Sequence, residues 1–286
     1  DAGQRLAKSV DAITVDSEHV PASLLADLEL ICPVRPSSRV LRIVQDRRAQ
    51  RSFLHDINAP QPRCVAVSSL AELEAEVEVV GLPCVLKSRR AGYDGKGQAV
   101  IRQRDEIESA WNSIGRSPAM LEEFVSFDAE ISVLLARNPS GEIRFYPVAY
   151  NVHRHHVLHA TLAPAPVDSS VEQEAQRIAS SIAAALDNTG MLAVELFLVG
   201  SELLVNEIAP RPHNSGHYTF GACATSQFEQ HVRAVAGLPL DDPSLSRPAV
   251  MVNLFGDLWQ DGDPDWTPIL SQPEAKLHLY GKSEPR

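Results

Sequence analysis

The sequence predicts a mixed α/β chain dominated by antiparallel strand pairs. Three observations carry this expectation. From residue 84 onward, short runs rich in Val, Ile and Leu follow one another. Two apolar runs, "MLAVELFLV" and "ELLVNEIAP", are separated only by Gly200-Ser201, a hairpin signal. Serine-capped helical patterns stand between the groups of strands.

Taken in order, "AGQRLAKSV" reads as a helix feeding a strand "AITVD", and residues 10–44 read as short α/β units punctuated by "CPVRP". A helix over 45–57 is closed by the two prolines of "NAPQP". "SLAELEAEVEVVGLP" is a helix with a capping box at Ser69 and Glu72 and a left-handed terminator at Gly81. Strands are expected at 84–88, 98–102, 119–125, 130–138, 142–152 and 157–163, then an amphipathic helix over 170–187. "SQFEQHVRAVAG" repeats the boxed pattern with Ser226, Glu229 and Gly237, and "AVMVNLF" is a late strand.

Composition narrows the function. With 286 residues, 44% hydrophobic and 22% charged, the chain has the balance of an ordinary globular protein of two or three modest domains. A net charge of −11 disfavours nucleic acid as the main partner, since phosphate neutralisation needs a basic face. No apolar run approaches the roughly 18 to 20 residues that span a bilayer. The cysteines at 32, 64, 84 and 223 form no CxxC pair, which fits a reduced, cytoplasmic protein rather than a zinc ribbon or disulfide scaffold.

Four stretches carry chemistry. "SRRAGYDGKGQ", between two strands, has the glycines to let backbone N–H groups approach an anion, with Lys87, Arg89, Arg90 and Lys96 around it. It matches neither the Walker A nor the dinucleotide-binding pattern, so it is either a lid over a phosphate or a solvated hairpin tip. Glu195 and Glu207 sit among apolar neighbours on facing strands, where hard oxygen ligands suit Mg²⁺; the other reading has both facing solvent. A regular two-residue turn would pair Glu195 with Asn206 and send Glu207 to the opposite face, so the metal reading requires an odd loop or a bulge. "APRPHNSGHYT" crowds Arg211, His213, Asn214, Ser215 and His217 just beyond, as a shaped pocket or a plain polar loop. "NVHRHHVLH" offers four histidines without a nearby cysteine or carboxylate, so a half-exposed strand or loop fits better than zinc. There is no GxSxG elbow, which leaves electrostatic, metal-assisted chemistry.

In order and spacing, "VLKSRRAGYDGKGQ", "LEEFVSFDAEISV", "AVELF…LLVNEIAPRPHNSGH" and "SQFEQHVRAVAGLPL" resemble the 5-(carboxyamino)imidazole ribonucleotide synthases, ATP-grasp ligases of purine biosynthesis. The resemblance implies an ATP-grasp fold holding nucleotide between a small lid subdomain (46–122) and a larger antiparallel-sheet domain (123–286, its C-terminal part truncated), after a partial N-terminal α/β domain (1–45). It implies carboxylation of aminoimidazole ribonucleotide by bicarbonate, with ATP and Mg²⁺, in a cytoplasmic homodimer that binds neither nucleic acid nor membrane. Lys87 would contact the nucleotide phosphates, and Gly92, Tyr93, Asp94, Gly95, Lys96, Gly97 and Gln98 would form the lid. Glu122, Glu123, Phe124 and Val125 would be the hinge whose backbone meets adenine, and Glu130 would hold the ribose. Arg47 and His153 are further nucleotide contacts. Glu195 and Glu207 would carry Mg²⁺ with Asn206 beside them. Arg211, His213, Asn214 and Ser215, with Tyr93 and Asp94, would line the bicarbonate and imidazole site; Arg211, Lys96 and Asp94 are the expected catalytic groups.

Three departures accompany the resemblance. The family's N-terminal "GQLGRM"-type loop and closing "GRKMGH"-type segment are not in the sequence, and the family carries a glycine near position 156. The sequence is therefore expected to be a fragment or processed chain that binds Mg-ATP well and the ribonucleotide weakly. Two rival readings share the lid and carboxylates: another ATP-grasp ligase, such as a formate-dependent glycinamide ribonucleotide transformylase or a biotin-carboxylase-like enzyme, and a nucleotide-binding module without turnover.

Overall fold

The structure is a computed structural model that describes residues 2–90 and 97–281. Helix α1 (Ala2–Ala7) opens it. The strand expected at "AITVD" shrinks to one parallel bridge, Ile13 with Val34. Pro33 and Pro36 flank Val34 and offer no N–H, so the ladder cannot lengthen on that side. Helices α2 (Ala22–Glu29) and α3 (Ser38–Val44) pack through Leu25, Leu28 and Leu41 into a small core. Helix α4 (Arg47–Asp56) is capped by Asp46, whose carboxylate accepts from Arg48 N at 3.0 Å.

A four-stranded antiparallel sheet follows, ordered β1 (Cys64–Val67), β4 (Ala119–Glu123), β2 (Cys84–Ser88), β3 (Gln98–Ile101). Helices α5 (Leu70–Val80) and α6 (Ile107–Ser113) share its core with Leu73, Leu86, Trp111 and Leu121. Ser69 caps α5 as expected, but the Glu72 carboxylate reaches Ser68 N (2.6 Å) rather than Ser69 N. Gly81 has the positive φ expected of a terminating glycine, 91°, but its ψ of 166° places it outside the left-handed helical region.

The second sheet has seven strands, in the order β10 (Glu202–Ala209), β9 (Gly190–Val199), β5 (Ala129–Arg137), β7 (Ala149–Arg154), β8 (Val157–Ala163), β11 (Ala249–Val252), with β6 (Ile143–Phe145) pairing β5. The single strand expected over 142–152 is broken into β6 and β7, with Pro147, which has no ladder donor, between them. Along β5, Ile131, Val133 and Leu135 face one core, and Leu134 and Ala136 face another. That period of two lets the sheet be covered on both faces. Helix α7 (Ser169–Leu186) buries Ala175, Ile178, Ile182 and Leu186 against the first face. After α8 (Thr219–Ala222), helix α9 (Gln227–Ala236) covers the second through Ala234, and Gly237 ends it in the expected left-handed conformation. The expected reciprocal cap at Glu229 is absent, because its carboxylate is held by Arg233 at 2.9 Å. Each fully buried leucine in these cores contributes roughly 1.5 to 3 kcal/mol. All four cysteines are free, and among the described residues no helix is long and apolar enough to cross a membrane.

The β7–β8 turn places His155 (φ 51°) and His156 (φ 64°) in the left-handed region. For a non-glycine residue this costs about 1 to 2 kcal/mol, partly offset because glycine gives the unfolded chain about 0.4 to 1 kcal/mol more entropy. His156→Gly is therefore expected to raise the melting temperature by a few degrees, and His156→Val to lower it, in a thermal melt.

Candidate active site

The β9–β10 hairpin positions the two central carboxylates. Its turn is the two-residue one, since Glu202 pairs Val199, and the register stays regular to Val205–Leu196. There Asn206 is inserted as a bulge, and Glu207 comes alongside Glu195. The bulge is what the metal reading required. Glu195 is largely buried and Glu207 half exposed. Burial first, and the charge of Glu207 second, push the Glu195 carboxyl up to about 7, against the partial opposition of His153 and Asn206. Two like-charged oxygen donors held side by side on adjacent strands fit a divalent cation such as Mg²⁺, which would let both remain ionised.

Asn206 ties this pair to the smaller sheet: its Nδ2 donates to Glu195 Oε2 at 3.4 Å, and Lys87 Nζ donates to its Oδ1 at 3.4 Å. Lys87 in turn lies 2.7 Å from Glu122 Oε2. Burial lowers the Lys87 pKa, helped by Arg51 and Arg47 and opposed by Glu122. The Glu122 side chain is buried between Lys87 and Arg51. In the remainder of the expected hinge, Glu123 N donates to Arg63 O (2.9 Å) and Phe124 N to Pro83 O (3.3 Å), so these two donors are engaged within the protein. Val125 follows, half-buried.

On β5, Glu130 Oε2 lies 2.5 Å from His153 Nδ1, an ionic contact without hydrogen-bond alignment. Burial pulls the His153 pKa down, but the contact with Glu130 and the charges of Glu130 and Glu195 outweigh it and hold the pKa above its ordinary value. His155 and His156 lie exposed at the turn, and no group of three or more potential metal ligands occurs among the described residues.

The "HNSGH" loop closes the other side. His213 Nε2 is 3.5 Å from Glu195 Oε1, while its Nδ1 meets Ser215 Oγ at 2.8 Å. Ser132, opposite Glu195 on β5, donates to Ser215 Oγ at 2.9 Å. Ser215 N also donates to Nδ1, at 3.3 Å, so Nδ1 is the acceptor and the His213 proton sits on Nε2, toward the carboxylates. Burial, with Arg211, His217 and His153 adding to it, holds the His213 pKa down to about 3. Gln227 clamps the loop by accepting from His213 N (2.9 Å) and donating to His213 O (2.8 Å). Gly216 lies so close to the sheet that a Cβ there would be 2.2 Å from Leu134 Cδ2. Asn214 Oδ1 is buried without a hydrogen-bond partner among the described residues, an acceptor available to a ligand.

Arg211 pairs with Glu18 at 2.6 Å. With Arg47, Arg89, Arg90 and Glu207 these residues line a cavity of about 320 Å³ between the N-terminal segment and the carboxylates. Arg89 and Arg90 are held by Asp46 (2.5 and 3.3 Å), and Arg47 lies 3.6 Å from Glu207. Gln98 begins β3, pairing Lys87, and Gly97 precedes it with its carbonyl accepting from Ser88 N at 2.7 Å. Gly92, Tyr93, Asp94, Gly95 and Lys96 lie outside the described residues. Sequence reasoning did not single out Glu18, Asp46, Arg51, Ser132 or Gln227. Only Arg51 left a signal, standing one helical turn from Arg47 on the same face.

An ATP-grasp domain model matches residues 52–228, and ATP-grasp ligases are the class that the two antiparallel sheets and the carboxylate hairpin define. A model of the phosphoribosylaminoimidazole carboxylase C-terminal domain matches residues 249–286. The N5-carboxyaminoimidazole ribonucleotide synthase of Bacillus subtilis is 41% identical over 285 residues, covering 99% of this chain and 74% of the relative. The crystal structure of the corresponding synthetase from Thermus thermophilus superposes with a TM-score of 0.90 at 39% identity, over 99% of this chain and 76% of that one. The Aspergillus clavatus synthase, solved with ADP and 5-aminoimidazole ribonucleotide, gives 0.90 at 30% identity, over 100% and 76%. The chain belongs to the N5-carboxyaminoimidazole ribonucleotide synthase family, the family its motifs resemble under the alternative name. The rival ATP-grasp ligases are not favoured.

Proposed function

We propose that this chain joins bicarbonate to the exocyclic amine of 5-aminoimidazole ribonucleotide at the expense of ATP. A bicarbonate oxygen attacks the γ-phosphorus and ADP departs, giving carboxyphosphate. The amine nitrogen then forms a bond to the carboxyl carbon, phosphate leaves, and the nitrogen loses a proton. The observation that carries the reading is the bulge at Asn206. It sets Glu207 beside Glu195 and puts Asn206 between Glu195 and Lys87, in a chain 41% identical to a synthase of this name.

Lys87 and Arg47 face the phosphates in this reading, and the chain at Glu122 to Val125 faces the adenine. Glu130, beside His153, takes the ribose. Glu195 and Glu207 would hold Mg²⁺, which would supply positive charge against the phosphate oxygens while the γ-phosphoryl group is transferred. His213, neutral and carrying its proton on Nε2, donates a hydrogen bond to a developing carboxylate oxygen and does not remove a proton. Arg211 and Asn214 orient the bicarbonate and the imidazole, with Ser215 fixing the His213 ring. Tyr93, Asp94 and Lys96 retain the lid roles that the motif implies.

The test is a direct assay. ADP release should require Mg²⁺, aminoimidazole ribonucleotide and bicarbonate together, and ¹³C-bicarbonate should yield a new carbamate resonance. ADP release driven by formate, or unaffected by omitting the ribonucleotide, would overturn the reading.

A further inference from the structure

We propose that Arg51 is a positioning residue that fixes the bulge at Asn206 and thereby sets Glu207 beside Glu195; its catalytic consequence rests on the reading of that pair as the Mg²⁺ ligands. In a bulge the extra residue is left out of the ladder, so its backbone groups need partners from elsewhere. Arg51 supplies them from outside the sheet. Its Nη1 donates to Val205 O at 2.8 Å and its Nη2 to Asn206 O at 3.1 Å, the two carbonyls at which the register shifts. The rest of the guanidinium is locked onto Glu122, Nε to Oε1 at 2.8 Å and Nη2 to Oε2 at 3.1 Å.

The side chain is 4% exposed, so water does not compete for these donors. Pro60 O, accepting from Val205 N at 2.8 Å, holds the same point from the chain that follows α4. Without the bulge, Glu207 would fall opposite Val194 and point to the other face of the sheet. One fork thus couples the charge pair behind Lys87 to the register of the carboxylates. Lysine cannot replace it, because an ammonium has no planar fork to span a carboxylate and two carbonyls.

Arg51→Lys keeps the charge opposite Glu122 and loses the fork. The amides of Asn206 and Glu207 should exchange with solvent at least tenfold faster than in the wild type. The Mn²⁺ midpoint in the presence of ADP, read from the electron paramagnetic resonance of free Mn²⁺, should rise about 10- to 100-fold. In a Glu207→Gln background, Arg51→Lys should shift that midpoint little further, since it acts through Glu207. Unchanged exchange at 206 and 207, or additive shifts in the double variant, would overturn the proposal. If Glu207→Gln alone leaves Mn²⁺ binding unchanged, the metal reading fails instead, while the exchange data still decide the role of Arg51. Should Arg51→Lys not fold, through-hydrogen-bond couplings from the Arg51 nitrogens to the Val205 and Asn206 carbonyl carbons in the unmodified protein decide it, and their absence overturns it.

Discussion

Glu195→Gln is expected to abolish Mg²⁺-dependent ADP formation, with a fall of at least about 100-fold that raised Mg²⁺ does not restore. Glutamine keeps the shape of the side chain and its hydrogen bond with Asn206, so the change is one of charge. A cation that loses one of two carboxylates loses several kcal/mol of its hold on the transition-state charge, and each 1.4 kcal/mol is a factor of ten in rate. Glu207→Gln should behave in the same way, because the bulge makes the two residues direct neighbours. Neither change should weaken the fold without metal, since each removes one of two like charges. A Mg²⁺ titration of ADP release, beside a thermal melt of the metal-free protein, separates the effects. Turnover within a few-fold of wild type at saturating Mg²⁺ would refute the assignment.

What made this pair legible in the sequence was the apolar context of each glutamate, which signals a carboxylate that needs a partner. Their placement on one face was not legible. It depends on a bulge, and the donors that stabilise that bulge come from Arg51, more than 150 positions away in the chain. The pattern of Leu, Val and Ile located the strands well, because a sheet covered by α7 and α9 requires apolar residues on both faces. It failed where a proline intervened, at Pro147 between β6 and β7 and around Val34, because hydrophobic spacing does not count missing ladder donors. The chemistry of the "HNSGH" loop was visible as a density of polar side chains. Its tautomer was not visible, because Ser132, which holds the Ser215 hydroxyl against the ring, lies on an ordinary strand position.

Glu122→Gln should cost about 3 to 5 kcal/mol of stability, because it leaves the buried cations of Lys87 and Arg51 facing a neutral amide. The wild-type carboxyl also leaves a signature in acid. Burial alone would raise its pKa, but the charges and hydrogen bonds of Lys87 and Arg51 outweigh burial and hold it down to about 2, against an ordinary 4.5. A depressed carboxylate contributes stability in full above its unfolded value and loses it as pH falls through the folded one. The window is therefore from about pH 4.5 to pH 2, and the contribution lost across it is about 3 kcal/mol at 1.4 kcal/mol per pH unit. Buried neutral histidines such as His231, held down to about 4 by burial, add their own acid sensitivity in both proteins. The difference between wild type and Glu122→Gln cancels them. In urea melts at pH 7, 5, 4 and 3, the two stabilities should be well separated at pH 7 and converge below pH 4.5. Curves that stay parallel down to pH 3 would mean that Glu122 is not the charged hub between the two sheets.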